Sequence, residues 1–582
     1  MVKHLIIFYI NAKIKIVYAL NIVQKIKCTM KKNILTPVQL WKKFKPTTSD
    51  FNTNIVSYKS LGYMSVCELY FTALREQDGD VRVYTQVYFP KNPASDAVVI
   101  MVPEFNKMVD INYISYYVQA GFNVVTFDIA GLNNTKHFTR YPKSLAFCNY
   151  AYSGEHLNTC NFGAENTCLF NWCKITRQVI SFVKNFSPSL TPSKVLMTAQ
   201  NSGANILWQV AGVDDRLDGI IPINNTGYDD FNSNLGTEDI PLSELAERNV
   251  WSLCCAAPSY AKFINCPVLF LGSSNNRNYS YSSLSDTLKL IPEDITHYEC
   301  VSVGCSNNLY KQALYTAFNW IDDISNNKKT VIPPKGRFVV LENRLWVYAD
   351  FDMDYDSIVD VKIHVTYGKE VEGVRNWIGY TVHADLVGTA SQKIKVYDLN
   401  EEISLICSVF YRNGSMYTSP LLTIKPNSLG EDIKTNARNS RMIFDKDFGT
   451  NAFYPRETAF FADKANIHFE TGALGLEGIT TDRGDFVCYN IDGKYITNNE
   501  VMLQFDYFTT KPRKIVVEIE DVNLKSYYAK LELPASNEWQ SIKIPRTMFV
   551  SNKLYPIKTW NTVKSLIFSA AEKVLINNII WI

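Results

Sequence analysis

The sequence predicts an α/β domain, with a mostly parallel sheet flanked by helices, followed by two all-β sandwich domains. Three observations carry this. Between residues 35 and 327, short apolar runs alternate with amphipathic stretches of helical period, the pattern of parallel strands joined by crossover helices. Over 336–426, and again over 440–582, the helical period disappears and short strands succeed one another at sandwich spacing. The charged, proline-paired KKTVIPP at 328–334 and the polar stretch 427–439 separate the three regions. Residues 1–34 form an N-terminal extension.

From the N-terminal side, LTPVQLWKKFKP (35–46) predicts a short amphipathic helix. Strand-like runs span 56–74 and 81–89 around the turn Asp78-Gly79-Asp80, and AVVIMV (97–102) is a fully apolar strand. Residues 111–120 predict a helix stopped by Gly121, and 123–127 the next strand. After an insertion rich in Asn and Tyr (131–165) comes a long helix over 168–185. The stretch 194–225 reads strand, sharp turn, helix, strand. PVLFLG (267–272) and 298–303 are further strands, and 309–324 the closing helix. The first β region holds RLWVYADF, VDVKIHVTY, WIGYTVHA and ISLICSVFYRNG; the second holds VMLQFDYF, KIVVEIED, YYAKLELP and LINNIIWI.

Composition narrows the function classes. The chain is 46% hydrophobic and 20% charged, which is globular. A net charge of +2 supplies no footprint for nucleic acid or an anionic membrane. The 13 cysteines include no C-x-x-C pair and show no metal-ligand spacing, so free buried thiols in a reducing, cytoplasmic compartment are expected, with no metal and no cofactor. The apolar run at 5–10 is short, and Lys13, Lys15 and Lys25 interrupt the residues after it, so neither a signal peptide nor a membrane span is expected; Met30 competes with Met1 as the start.

The run VRVYTQVYFP (81–90), the strand VVIMV, YPKSLAFCNYAYSGEHL (141–157), TCLFNWCKITRQVISFV (167–183) and VAGVDDRLDGIIPI (210–223) together resemble the acetylxylan-esterase-like, dienelactone-hydrolase-like branch of the α/β-hydrolases, over about 35–325. The last region is similar to galactose-binding-like or carbohydrate-binding jelly rolls through the Trp539-Gln540 strand, Phe549 and INNIIWI.

The resemblance implies a serine nucleophile at a tight strand-to-helix turn, a histidine base and an orienting carboxylate. In Ala199-Gln200-Asn201-Ser202-Gly203 the small flanks remain, but the apex is Asn201, and an amide cannot attack a carbonyl. The acid slot after PVLFLG falls on Asn276, or on Asn275 one residue earlier. The base loop Gly304-Cys305-Ser306-Asn307-Asn308 holds no histidine, with Ser306 at the slot. Of seven histidines, His4, His364, His383 and His468 lie outside the α/β region; His137 and His156 sit in the insertion and His297 precedes a strand. The oxyanion turn reads Pro103-Glu104-Phe105: proline removes one N–H, and a glutamate stands where negative charge would develop. The backbone N–H groups of Phe105 and Ser202 remain as candidate donors.

Ser202 is the candidate rescue nucleophile, although its flanks Gln200 and Ala204 suit the turn less well and it gains no base. Asn201, Asn276, Glu104 and Ser202 could instead line a pocket that binds without cleaving. Asp128 and the Asp214-Asp215-Arg216 turn are read as structural, and Trp172, Trp208 and Trp251 as core. Trp539, Tyr507, Trp560 and Tyr555 are candidate exposed aromatics for stacking on sugars. The expected function is a non-catalytic or strongly impaired pseudo-esterase with carbohydrate-related binding and an acetylated glycan as partner. An active esterase with a non-standard site and a structural assembly protein are the alternatives.

Overall fold

The computed structural model describes residues 35–132, 136–186, 190, 192–225, 250–276, 279–305, 307–329, 331–352, 357–370, 373–383, 388–430, 432–436, 441–446, 453–456, 461–462, 467–489, 491, 500–521, 523 and 525–582. The expectations placed on 1–34, and on Ser306, lie outside the described residues. By its internal contacts the chain divides into two compact units, Met1–Pro267 with Thr287–Thr296, and Val268–Asp286 with His297–Ile582.

The first unit opens with α1 (Pro37–Trp41). Thr36 caps it: its hydroxyl accepts from the Gln39 N–H while the Gln39 side chain accepts from the Thr36 N–H. The strands are β1 (Asn54–Leu61), β2 (Met64–Glu76), β3 (Gly79–Pro90), β4 (Val98–Val102), β5 (Asn123–Phe127), β6 (Val195–Gln200) and β7 (Gly219–Ile223). Three helices serve as crossovers, α2 (Ile111–Gln119), α3 (Cys168–Asn185) and α4 (Gly203–Ala211), and α5 (Ala257–Ala261) comes after them. The strand order is β1-β2-β3-β5-β4-β6-β7. Pairing is antiparallel up to β3–β5 and parallel from β5 onward. This is the α/β-hydrolase arrangement, with an antiparallel margin leading into a parallel centre. Every residue of β4 and β7 is buried, as strands covered on both faces require. The apolar run at 56–74 is two strands, because Gly62 takes φ +63° and turns the chain between them.

An ion cluster locks α3 to the turn after α4. The Asp214 carboxylate is fully buried and accepts from Arg177 Nε at 3.0 Å and Arg216 Nη2 at 2.6 Å. Arg216 also reaches the Ser181 hydroxyl and the Arg177 carbonyl. Burial alone raises a carboxyl, but the two guanidinium groups outweigh it and hold Asp214 below the usual range. The Asp-Asp-Arg turn is thus a structural clamp, as expected.

The second unit begins with the parallel pair β8 (Val268–Ser273) and β9 (His297–Ser302), then β10 (Leu309–Tyr310) and α6 (Lys311–Ser325). The expected helix from 309 therefore starts two residues late, after a short strand. The first sandwich contains β11 (Lys335–Leu341), β12 (Arg344–Asp350), β13 (Ile358–Tyr367), β14 (Ile378–Val382), β15 (Thr389–Lys393), β16 (Ile403–Tyr411), β17 (Met416–Thr418) and β18 (Leu422–Ile424). One sheet is β11-β12-β15. The other runs β14-β13-β16-β17, and Thr418 of β17 pairs with Glu299 of β9. The parallel pair and the sandwich sheet are therefore one continuous sheet.

The closing sandwich holds β19 (Met442–Phe444), β20 (Phe453–Arg456), β21 (Phe461–Ala462), β22 (Ile467–Thr471), β23 (Glu477–Thr481), β24 (Asp485–Cys488), β25 (Leu503–Phe508), β26 (Arg513–Asp521), β27 (Ser526–Leu533), β28 (Gln540–Ile544), β29 (Val563–Ser569) and β30 (Leu575–Trp581). Of these, β21 lies outside both sheets and pairs in parallel with β10; the sheets are β22-β23-β30-β25-β28, with β19 on β30, and β20-β24-β29-β26-β27. Strand alternation sends Phe505, Tyr507, Ile519, Phe568 and Trp581 into one shared core. The described cysteines form no disulfide. No helix among the described residues is long and apolar enough to cross a membrane.

Candidate functional site

In the first unit the turn after β6 places Asn201 at its apex with φ +46°, in the left-handed region. Asn tolerates that conformation better than most L-residues because its short amide interacts with local backbone. The turn is held on both sides: the Asn201 N–H donates to the Ile223 carbonyl, and its carbonyl accepts from Asn225 Nδ2 at 2.9 Å. Gly203 is required here, because a Cβ at that position would lie 2.5 Å from the Pro103 carbonyl oxygen. The missing side chain lets α4 start against the turn that comes after β4.

Four residues expected at the site come together around this apex. Asn201 Nδ2 donates to Glu104 Oε1 at 3.4 Å, and Glu104 pairs with Lys107 Nζ at 3.0 Å. The Phe105 N–H donates to Ser202 Oγ at 3.2 Å. A candidate oxyanion donor is thereby occupied by the hydroxyl of the candidate rescue nucleophile. Phe105 packs its ring 5.0 Å from that of Trp172, which fixes the turn.

The two described histidines of the first unit are engaged elsewhere. His137 stacks on Tyr84. His156 lies between Phe147 and Phe162, with Nδ1 at 2.7 Å from the Asn166 carbonyl oxygen. Asp128 is buried and accepts N–H bonds from Ala130, Gly131 and Thr139, so it ties down the start of the insertion. Burial raises its carboxyl to about 6 despite those donors. Trp172 and Trp208 are fully buried and Trp251 is 5% exposed, as expected of core residues.

In the second unit, the loop after β8 is part of the scaffold. Asn275 is fully buried and uses both ends of its amide. Its Nδ2 donates to the Arg375 carbonyl at 2.9 Å, and its Oδ1 accepts from the Arg375 N–H and from Trp377 Nε1, each at 3.2 Å. An aspartate here would set a carboxylate oxygen against the Arg375 carbonyl, with no donor between them. Asn276 is 1% exposed, and its Oδ1 accepts from the Tyr279 N–H.

The loop after β9 is sealed in the same way. The Gly304 N–H donates to Ser274 Oγ at 2.8 Å, and the Cys305 carbonyl accepts from the Asn275 N–H at 2.9 Å. Gly304 takes φ +82°, and a Cβ there would meet the Tyr454 ring at 2.0 Å. The Tyr454 hydroxyl in turn donates to the Trp377 carbonyl at 2.6 Å. Arg375, Trp377 and Tyr454 thus fill the surroundings of both loops. They come from strands and turns 70–180 residues downstream, and no local motif marks them.

No family model matches the chain, and no curated protein matches it. Among solved structures it is similar to an acetyl xylan esterase from Paenibacillus sp. R4, at 12% identity and TM-score 0.36, over 47% of this chain and 89% of that one. It is also similar to acetyl xylan esterase 1 from Thermoanaerobacterium sp. JW/SL YS485, at 14% identity and TM-score 0.34, with the same shares. A cold-adapted esterase from an Arctic intertidal metagenomic library matches at 12% identity and TM-score 0.32, over 48% of this chain and 100% of that one. The fold assignment rests on the strand order described above.

The aromatic candidates in the closing sandwich need correction. Tyr507 is 5% exposed and Trp560 is fully buried; both belong to the core, because β25 alternates Tyr507 inward and Trp560 packs on Phe549 and Trp581. Trp539 is half-buried. It lies over Gly472 and Gly478, beside Phe508, and donates to the Ala473 carbonyl at 3.1 Å. Tyr555 is exposed at 65%. Among the described residues no group of three or more acidic, histidine or cysteine side chains is arranged to hold a metal.

Proposed function

We propose that this chain is an esterase-like α/β-hydrolase homologue that has lost ester hydrolysis and acts through binding. The observation that carries the reading is the apex itself: Asn201 occupies the strained turn position, and the neighbouring Ser202 hydroxyl accepts from the Phe105 N–H. An amide at the apex supplies no nucleophile. A hydroxyl that occupies an oxyanion donor is poorly placed to attack a carbonyl polarised by that donor. The Asn275 amide supports the same reading, since its two-sided bonding to Arg375 and Trp377 suits a structural residue.

Acetylated glycans are the first ligand class to examine, as the sequence resemblance to the acetylxylan-esterase-like branch implies. The closing sandwich, read as a carbohydrate-binding jelly roll, keeps Trp539 as its candidate sugar-stacking ring. The test is hydrolysis of p-nitrophenyl acetate and acetylated xylan by the full chain, together with labelling by a fluorophosphonate probe. The expected result is no turnover above the protein-free rate and no label on Ser202. Labelling of Ser202 with turnover that Ser202→Ala abolishes would establish the competing reading, an active esterase with a displaced nucleophile.

A further inference from the structure

The continuous sheet of the second unit borders a cavity of about 320 Å³ that no part of the hydrolase reading uses. That volume falls in the range of small-molecule sites. The register explains its chemistry. Asp360, Lys362 and His364 alternate onto one face of β13, Ser408 of β16 lies opposite Lys362, and Gly379 of β14 lies opposite His364 and brings no side chain. Phe410, Met416, Phe453 and Ile467 supply apolar wall.

One lining hydroxyl marks the cavity as a polar site. Ser408 is 1% exposed, and its Oγ has no hydrogen-bond partner among the described residues. A buried hydroxyl left without a partner is costly, and sites that bind a polar ligand are where such groups are retained. Beside it, Lys362 is largely buried, with Nζ 3.6 Å from Asp360 and 5.6 Å from the centre of the Phe410 ring.

We propose that this cavity binds a small organic carboxylate with an apolar, ring-sized body. A hydroxyl donor and an ammonium border the same space as the apolar wall. A carboxylate satisfies the Ser408 hydroxyl and places a second negative group on Lys362, while the ring packs on Phe410, Met416 and Phe453. Asp360, on the same face of β13, pairs with the ammonium and disfavours ligands carrying more than one negative charge.

The test is isothermal titration of the full chain with benzoate, using benzamide and xylose as neutral controls. Benzoate is expected to bind with a Kd of roughly 1 mM or tighter, with benzamide about tenfold weaker. Ser408→Ala and Lys362→Met should each weaken benzoate about tenfold without changing the folded spectrum. If Lys362→Met does not fold, Lys362→Gln takes its place with the same expectation. Failure to bind benzoate, binding that these variants leave unchanged, or preference for xylose would each overturn the proposal. None of these outcomes depends on whether the chain hydrolyses esters.

Discussion

Replacing Asn201 tests whether the apex is held for its shape. The residue sits at φ +46°, where an L-residue other than Asn, Asp or Gly is disfavoured by about 1–2 kcal/mol. Its amide also donates to Glu104 at 3.4 Å, a long and partly exposed bond worth about 0.5 kcal/mol. Asn201→Ala forfeits both, for a loss of ~1.5–2.5 kcal/mol, or about 3–10 °C in the melting temperature of a unit this size. Asn201→Gly loses the weak bond but relieves all φ strain, so it should lie within about 0.5 kcal/mol of the parent. Urea denaturation monitored by tryptophan fluorescence reports on Trp172 and Trp208 of the same unit. The expected order of stability is Gly near Asn, with Ala clearly below both. An Ala variant as stable as the parent, or a Gly variant less stable than Ala, would refute the argument that the turn geometry selects the residue.

Four further outcomes are expected from the same structure. Asn275→Asp should destabilise the second unit by about 2–4 kcal/mol, because the new oxygen faces the Arg375 carbonyl; chemical denaturation checks it. Gly304→Ala should be at least as damaging, since its Cβ would enter the Tyr454 ring, and the far milder Tyr454→Leu, Gly304→Ala double variant should recover part of the loss. Asp214→Asn removes a buried anion between two arginines and should cost ~3 kcal/mol. Because the folded Asp214 carboxyl is held low, its contribution is present above the unfolded value near ~3.9 and fades as pH falls below it. Asp128 has the opposite sign. Its folded value of about 6 means the native state takes up a proton first, so stability falls by roughly 3 kcal/mol as pH rises from 4 through 6, and Asp128→Asn should flatten that slope in pH-dependent melting.

The elements of the α/β region were legible because burial imposes period. VVIMV and PVLFLG can only be interior strands, and the 168–185 stretch matches α3 residue for residue. The turn at 199–203 was legible because small residues flank a residue able to take positive φ. Less legible was whatever depends on pairing between distant segments. Nothing in the sequence indicates that β17 extends the sheet from β9, or that Asn275 answers to Arg375 and Trp377 a hundred residues on. The aromatic candidates divided for a local reason: Tyr507 and Phe508 are neighbours in one strand, and alternation sends the first inward and leaves the second half-exposed beside Trp539. An aromatic-rich strand does not announce its register until a partner strand fixes it.

The central claim is that the strand-turn-helix around Asn201 keeps its shape and has lost its chemistry. The most direct measurement is steady-state hydrolysis of p-nitrophenyl acetate by the parent chain, Ser202→Ala and Asn201→Ser. The account predicts that all three match the protein-free rate. A serine restored at 201 brings back neither an acid in place of Asn275 and Asn276 nor a histidine among the described residues of the base loop. Saturable turnover by the parent chain that disappears in Ser202→Ala would contradict it.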